Sequence, residues 1–482
     1  MEPLLQLAIA LPARGSRAIL ASLHGQLRTA ILHGRLKPGV KLPSTRALRS
    51  LYGVSRNTAV AAYELLLNEG YVCARRGSGT VVARALARPA VSRNPVRQAR
   101  LRAHVSPCYG TRPRPTRSDS AGPTAFRVGI PDLASFPYDA WRRLSNRALH
   151  RFRSHPPLAA DPQGEPALRA AIAQHVSFAR AVACNPEDIV VTAGAQQAFD
   201  LLARIFSAGG ARRVIALENP GYPPLRAAFE AQGARIAPVP VDAQGLMVER
   251  LPARLRAVCV TPSHQFPLGT AMSAQRRLDL LEVCQRRGAA IIEDDYDGEF
   301  RFTDRPLDAL QTLDRAQCVF YVGTFSKSLL PDLRLGYIVA PRWALDALVA
   351  AKRIIDGHSS VLTQSALALM ITEGFMARHV RRMQRIYRAR REALLGGLAS
   401  LQDWLEPLPS IAGLHVAATM RGAGREDSLI ESAARRGLKL GGLARYYVGA
   451  PRLRGLILGY GGTAESAIRE GLARLRSAMP PG

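Results

Sequence analysis

The stretch GTFSKSLLPDLRLGY, residues 323–337, sets Lys327 between two serines, with apolar runs that read as strand on both sides and Arg334 seven residues further on. An ammonium group is costly to bury, so such a lysine is either a solvated surface residue or one whose charge is consumed by chemistry. The second informative stretch is IIEDDYDGEF, residues 291–300, an apolar strand that ends in acids. Side chains alternate along a strand, which puts Asp294 and Tyr296 on one face and Asp295 on the other.

A carboxylate beside a phenol, with a lysine at the end of a second parallel strand, suits a pyridoxal phosphate pocket. The carboxylate keeps a pyridine nitrogen protonated, the phenol bonds the ring oxygen and the lysine forms a Schiff base. Phosphate needs its own cradle. In VTAGAQQAFDLLARIF, residues 191–206, Gly194, Ala195 and Gln196 stand between a strand and a helix, where exposed N–H groups and the helix dipole favour a dianion. Thr324, Ser326 and Arg334 add two hydroxyls and a guanidinium. In ENPGYPPLRAAF, residues 218–229, Tyr222 follows a turn and is placed to stack on a ring.

Around these motifs, DIVVTAG, RRVIALE, AVCVTP, AAIIEDD and CVFYVGTFS alternate with helical text, which predicts a mostly parallel sheet flanked by helices. From about residue 341 longer helices and the short strands GLHVAA and GLILGY predict a smaller α+β lobe. With 482 residues and 47% hydrophobic composition the chain can bury the cores of two or more domains. Lys and Arg number 66 against 37 acids, a net charge of +29. Residues 1–125 hold 20 basic and 4 acidic residues, or +16, leaving +13 for a remainder almost three times as long. An excess of that size calls for a polyanion, read by the N-terminal part. Nine arginines and repeated prolines without periodicity make residues 84–124 a linker between a domain at 14–83 and one at 125–482. The six cysteines form no C-x-x-C pair, which points to reduced thiols and implies no metal site. Neither a signal peptide nor an apolar run of bilayer length is evident, so a cytoplasmic protein away from membranes is expected.

The N-terminal text reads as helix, helix, helix, wing. Residues 17–34 carry Ile19, Leu20, Leu23, Leu27, Ile31 and Leu32 on one stripe that stops at Gly34. Ser44 caps a short helix, Gly53 turns the chain, and Ser55 caps a second helix with Val60, Tyr63 and Leu67 facing inward. That second helix opens with Arg56, Asn57 and Thr58, suited to a major groove, and Arg75, Arg76, Gly77 and Gly79 form the tip of a hairpin.

This region, KLPSTRALRSLYGVSRNTAVAAYELLLNEGYVCARRGSGTVV, resembles the GntR-type winged helix. The likeness implies DNA contacts from Lys41, Ser44, Arg46, Ser55, Arg56, Asn57, Thr58, Arg76, Gly77 and Gly79. TAGAQQ, NPGY, EDDYDGEF and GTFSKSLLPDLRLGY together resemble the fold-type-I aminotransferases over roughly residues 125–482. The whole chain is therefore similar to the MocR/GabR-type transcriptional regulators. That resemblance implies Lys327 for the covalent link and catalysis, Asp294 for the pyridinium, Tyr296 for the ring hydroxyl and Tyr222 for stacking. It gives Ala195, Gln196, Thr324, Ser326 and Arg334 to the phosphate. It also implies a homodimer on double-stranded DNA and an effector that is either pyridoxal phosphate itself or an amino compound.

Three positions depart from the aminotransferase pattern. Phe266 replaces the asparagine of the N-P-x-G turn, a change that MocR-like proteins share, and this leaves His264 or Gln265 as neighbours of Tyr296. Ile457 stands where amino-acid-binding relatives carry the arginine that clamps a carboxylate, and Pro224 where GABA-responsive relatives carry another. Either another arginine, Arg445 or Arg452, does the clamping, or the effector is the cofactor itself. The favoured reading is a transcription factor with a sensing aminotransferase-like domain. Its alternatives are an active aminotransferase with an autoregulatory head and a constitutive DNA-binding protein whose large domain only dimerises.

Overall fold

In the computed structural model, residues 7, 9–13, 16, 18–75, 79–83, 126–154, 160–207, 214–302, 308–422 and 425–479 are described. The chain divides into two units, Met1–Ser106 and Pro107–Gly482. The expected linker, 84–124, lies outside the described residues, as do Arg76 and Gly77.

In the first unit the apolar stripe forms helix α1, Ile19–Leu32, which buries Leu23, Leu27 and Ile31. Helices α2, Thr45–Tyr52, and α3, Arg56–Asn68, each begin on a serine whose hydroxyl accepts an otherwise unpaired N–H: Ser44 from Ala47 at 3.1 Å and Ser55 from Thr58 at 3.0 Å. Gly53, at φ +65°, closes α2 in the left-handed region that glycine enters without strain. The inward face of α3 is Ala59, Ala62, Tyr63 and Leu66, whereas Val60 and Leu67 are only half-buried. Tyr63 faces inward as expected, its hydroxyl donating to the Pro43 carbonyl at 2.8 Å, while the small Ala59 and Ala62 allow close packing against α1 and α2 and put Ala59 and Leu66, rather than Val60 and Leu67, in the core. Strands β1, Val72–Arg75, and β2, Gly79–Val82, pair as an antiparallel hairpin with Arg75 opposite Gly79.

The second unit is built on an eight-stranded sheet. Its strands in chain order are β3, Ile189–Thr192; β4, Val214–Asn219; β5, Arg235–Asp242; β6, Gly245–Leu246; β7, Ala257–Val260; β8, Ala290–Asp295; β9, Val319–Thr324; and β10, Gly336–Val339. They lie in the order β3-β10-β9-β8-β7-β4-β5-β6. The five central strands run parallel, β10 runs antiparallel between β3 and β9, and β6 is antiparallel to β5. Every residue of β8 and β9 is buried, as expected of strands covered on both faces. Ile292, Val322 and Ile338 pack against helices Ala195–Ser207 and Arg342–Asp356, while Ile291 and Val258 pack against helix Ala274–Arg287. A smaller lobe follows, with strands β11, Leu405–Pro407; β12, His415–Met420; β13, Gly441–Gly442; and β14, Gly455–Gly459 in the order β11-β12-β14-β13. Its core continues onto helices Phe375–Ala399 and Glu465–Ala478.

Register fixes where function can sit. Gly336 pairs with both Thr192 and Thr324, and Asp294 pairs with Val322, so the loops after β3, β8 and β9 emerge at one edge. That edge, at the carboxyl ends of the parallel strands, is where open α/β sheets bind ligands.

Candidate functional site

One cleft of about 440 Å³ opens there. It is lined by Ala195, Gln196, Tyr222, Asp294, Tyr296, Thr324, Ser326, Lys327 and Arg334, so all nine residues singled out for the cofactor share one cavity although they span 140 positions of chain.

Asp294, the last residue but one of β8, has 6% of its surface exposed, and its Oδ1 has no hydrogen-bond partner among the described residues. Burial, then the charges of Asp295 and Asp297, raise its carboxyl well above the usual range, against a smaller opposing pull from Lys327. Among the described residues this oxygen is a buried acceptor without a donor. Asp295 points the other way, as alternation requires. There it accepts from Arg180 Nε at 2.5 Å and from the Tyr321 hydroxyl at 2.6 Å. Burial pushes the Asp295 carboxyl up, but Arg180 and these hydrogen bonds outweigh burial and hold it below its ordinary value.

Lys327 follows β9 in the turn that leads to Pro331. Its Nζ donates to the Gly129 carbonyl at 2.6 Å, and burial lowers its pKa while Asp297 and Asp294 oppose that shift. A Cβ on Gly129 would stand 2.9 Å from this Nζ, and Gly129 has φ +74°, so the approach needs glycine. Arg334 lies flat against Gly194: a Cβ there would be 3.2 Å from the guanidinium, and Gly194 has φ +80°. Arg334 Nη2 donates to the Ala193 carbonyl at 2.8 Å, while the Thr324 hydroxyl donates to Ser326 Oγ at 3.1 Å. Two hydroxyls, a guanidinium and the amino end of helix Ala195–Ser207 therefore converge on one corner. Gln196 lines that corner too, with its amide donating to the Pro224 carbonyl at 3.0 Å.

Phe266 occupies the middle of an aromatic box. Tyr222, Tyr296, His415 and Tyr446 all meet it edge-on, with ring centres 5.5, 6.0, 5.5 and 5.1 Å away. Tyr222 keeps 40% of its surface exposed, so its ring forms an open wall of the cleft. The Tyr296 hydroxyl lies 2.8 Å from His264 Nδ1, which is 2.9 Å from Asp297 Oδ2, while His264 Nε2 lies 3.2 Å from Ser410 Oγ. Of the two residues left as neighbours of Tyr296, His264 is the one that sits beside it, and Gln265 turns away to the Pro220 carbonyl at 2.8 Å.

Ile457 is fully buried in one cluster with Phe266, Leu268, Ala417 and Leu443; Phe266 lines the cleft and Ile457 does not. Pro224 does line it. Of the two remaining arginines, Arg445 reaches the cleft, with its guanidinium 5.4 Å from the centre of the Tyr446 ring, and Arg452 is not among the lining residues. Sequence reasoning missed Gly129, Asp297, His415 and Tyr446. Asp297 had a signal, since it closes the EDDYD run; the others arrive from segments with no local mark.

In the first unit, Lys41, Arg46, Arg56 and Asn57 are exposed on one short span of chain. Ser44 and Ser55 are engaged as caps, the Thr58 hydroxyl lies 2.8 Å from Ser55 Oγ, and Gly79 opens β2 at φ +83°. Arg76 and Gly77, which complete the set of expected DNA contacts, lie outside the described residues.

Residues 132–436 match the aminotransferase class I and II profile, and residues 21–82 match the profile of the bacterial regulatory proteins of the gntR family. The "Probable rhizopine catabolism regulatory protein MocR" of Rhizobium meliloti is 38% identical, over 95% of this chain and 93% of its own length. The HTH-type pyridoxine biosynthesis transcriptional regulator PdxR of Corynebacterium glutamicum is 33% identical, over 99% of this chain and 100% of its own length. Among solved structures, the α-aminoadipate aminotransferase LysN of Thermus thermophilus, complexed with N-(5'-phosphopyridoxyl)-L-leucine, is 28% identical with a TM-score of 0.68, covering 75% of this chain and 93% of that one. The winged helix, the aminotransferase fold and these full-length likenesses lead to one conclusion: the chain belongs to the MocR-type transcriptional regulators, in which a GntR-family helix-turn-helix precedes an aminotransferase class I and II domain.

Proposed function

We propose that this DNA-binding transcriptional regulator holds pyridoxal phosphate in the cleft around Lys327 and converts its presence, or that of an amino compound reacting with it, into a change of affinity for DNA. The observation that carries the reading is Asp294 Oδ1, a buried acceptor without a partner among the described residues, in a cleft that also holds a depressed lysine and a phosphate-type corner. When bound, the cofactor supplies an aldehyde electrophile and an electron-accepting ring.

The chain's residues divide the remaining work. Lys327 is the attachment amine, and its lowered pKa leaves more of it neutral than an ordinary lysine at neutral pH. Asp294 would pair with the ring nitrogen and keep a proton there. Tyr296, kept in place by His264 and Asp297, donates to the ring oxygen and does alone what a tyrosine and an asparagine share in aminotransferases. Tyr222, an open wall of the cleft, would stack on the ring. Ala195, Gln196, Thr324, Ser326 and Arg334 take the phosphate.

Burial of Ile457 in an apolar cluster removes the strand position from substrate clamping and favours sensing over turnover. Arg445, at the cleft wall beside Tyr446, is the cation left to meet an anionic end of an amino effector. The regulator acts as a cytoplasmic homodimer that presents two winged helices to paired half-sites.

The test combines two measurements on full-length protein stripped of cofactor. Added pyridoxal phosphate gives a near-visible absorbance band that Lys327→Ala abolishes, and it shifts affinity for a duplex selected by the protein from a random pool. A band without any shift, followed by a shift on adding amino acids one at a time, assigns the signal to the amino compound. No band in the wild type defeats the cofactor reading.

A further inference from the structure

Helix Phe375–Ala399 carries an unusual outer face. Its inner face buries Met376, His379, Val380, Met383, Tyr387 and Leu394 in the core of the small lobe. Opposite them stand Arg378, Arg381, Arg382, Arg385 and Arg388, all exposed. At 3.6 residues per turn these five fall within about 120° of the helix surface, centred about half a turn from the buried stripe.

The helix treats inward and outward arginines differently. Arg390, turned inward, pairs with Asp132 at 2.6 Å. Of the outer five, Arg378 lies 4.6 Å from the centre of the Phe375 ring, and none has a carboxylate partner among the described residues. One exposed acid, Glu392, follows at the far end of the same face. A solvated helix face ordinarily mixes signs, with acids placed four residues before bases. Here like charges stand three and four residues apart and repel one another. Helix Tyr138–Ser154 reaches the segment before this one: Arg147 pairs with Glu373 at 2.7 Å, and Arg143 and Arg151, one turn on either side of Arg147, are exposed as well.

We propose that this arginine face is a second DNA-binding surface, which holds the phosphate backbone of DNA flanking the site read by the winged helix. The stripe from Arg378 to Arg388 is about 15 Å long at 1.5 Å per residue, the length of about four phosphates of one strand at 3.4 Å each. Arginine suits that occupant, since its planar fork meets phosphate oxygens in pairs. The contact carries no sequence information. It adds affinity and salt dependence, and it accounts for part of the +13 that lies outside residues 1–125.

The experiment uses the full chain and a duplex selected by it from a random pool, in a short form trimmed to the read site and a long form with about 40 flanking base pairs. In R381Q/R385Q/R388Q, affinity for the long form falls about tenfold or more, and the slope of log K against log salt becomes shallower by about 2 to 3. Affinity for the short form stays within twofold, and the cofactor absorbance band is unchanged, which shows an intact fold. R381K/R385K/R388K restores most of the long-form affinity. Arg56→Ala weakens both forms, so failure of the winged-helix reading is scored separately. Unchanged affinity and slope on the long form in the glutamine variant overturns the proposal. So does an equal loss on both forms. Capture by vesicles of anionic phospholipid that disappears in the glutamine variant, with long-form affinity unchanged, also overturns it and assigns the face to a membrane surface.

Discussion

The winged helix and the cleft handle charge in opposite ways. In the first unit Arg46 and Arg56 stand exposed on helices packed over a mainly apolar core, and neither has a carboxylate partner among the described residues. At the cleft and on the face of β8 behind it, Asp294 and Asp297, and Asp295 and Arg180, are all nearly or fully buried, and each depends on what the fold brings to it. The contrast separates binding from stability. A surface cation can be removed without unfolding its helix, whereas a buried charge loses its partner only at a large cost.

The largest test of that contrast is Arg180→Met. It leaves Asp295 buried without its 2.5 Å partner and should lower stability by about 3–5 kcal/mol in urea melts. The sign of the pH effect follows from the depressed carboxyl: the pair's stabilisation is present above the ordinary carboxylate range and is lost as pH falls through the folded-state value. The variant should lose that component of acid sensitivity. A loss below about 1 kcal/mol would mean that burial in this sheet is less demanding than argued.

Asp294→Asn sharpens the comparison from the other side, because this acid is buried for a ligand rather than for a protein partner. Cofactor affinity should fall roughly 10- to 100-fold in an absorbance titration, the value of one charge-assisted hydrogen bond. The cofactor-free chain should not lose stability. A carboxyl raised in the folded state makes stability decline as pH rises through the window between its unfolded and folded values, and asparagine removes that decline.

On the exposed side, Arg56→Ala should weaken DNA binding by about 1–3 kcal/mol and reduce the salt slope by about 1. Its melting should stay within about 0.5 kcal/mol of wild type. If melting fell by as much as binding, the distinction drawn here would fail. The smallest effect belongs to Ser55→Ala, which removes the bond to the Thr58 N–H and should cost about 1 kcal/mol of first-unit stability by hydrogen exchange. It also loosens the start of α3, so a modest fall in DNA affinity accompanies it.

How legible each region was follows from the same contrast. The winged helix is local: caps, turn glycine and apolar stripe lie within 65 residues, and Ser44, Gly53 and Ser55 each announce their geometry in the text. Only part of the inward face of α3 differed, because two alanines set the close packing that a list of larger apolar residues overlooks. The cleft was legible in its donors, since strand alternation assigned Asp294 and Asp295 to opposite sides. It was not legible in its supports. Gly129, His415 and Tyr446 enter from far along the chain, and the bond from Lys327 Nζ to the Gly129 carbonyl joins residues 198 positions apart.

Sequence alone therefore determined the two architectures, the order of the motifs and the identity of the residues that bear charge, because periodicity, capping and strand alternation act over a few residues. Tertiary structure decided which of those charges would be satisfied. Whether a carboxylate meets Arg180, like Asp295, or keeps an oxygen without a donor among the described residues, like Asp294, depends on distant segments and on the low dielectric that closes around them.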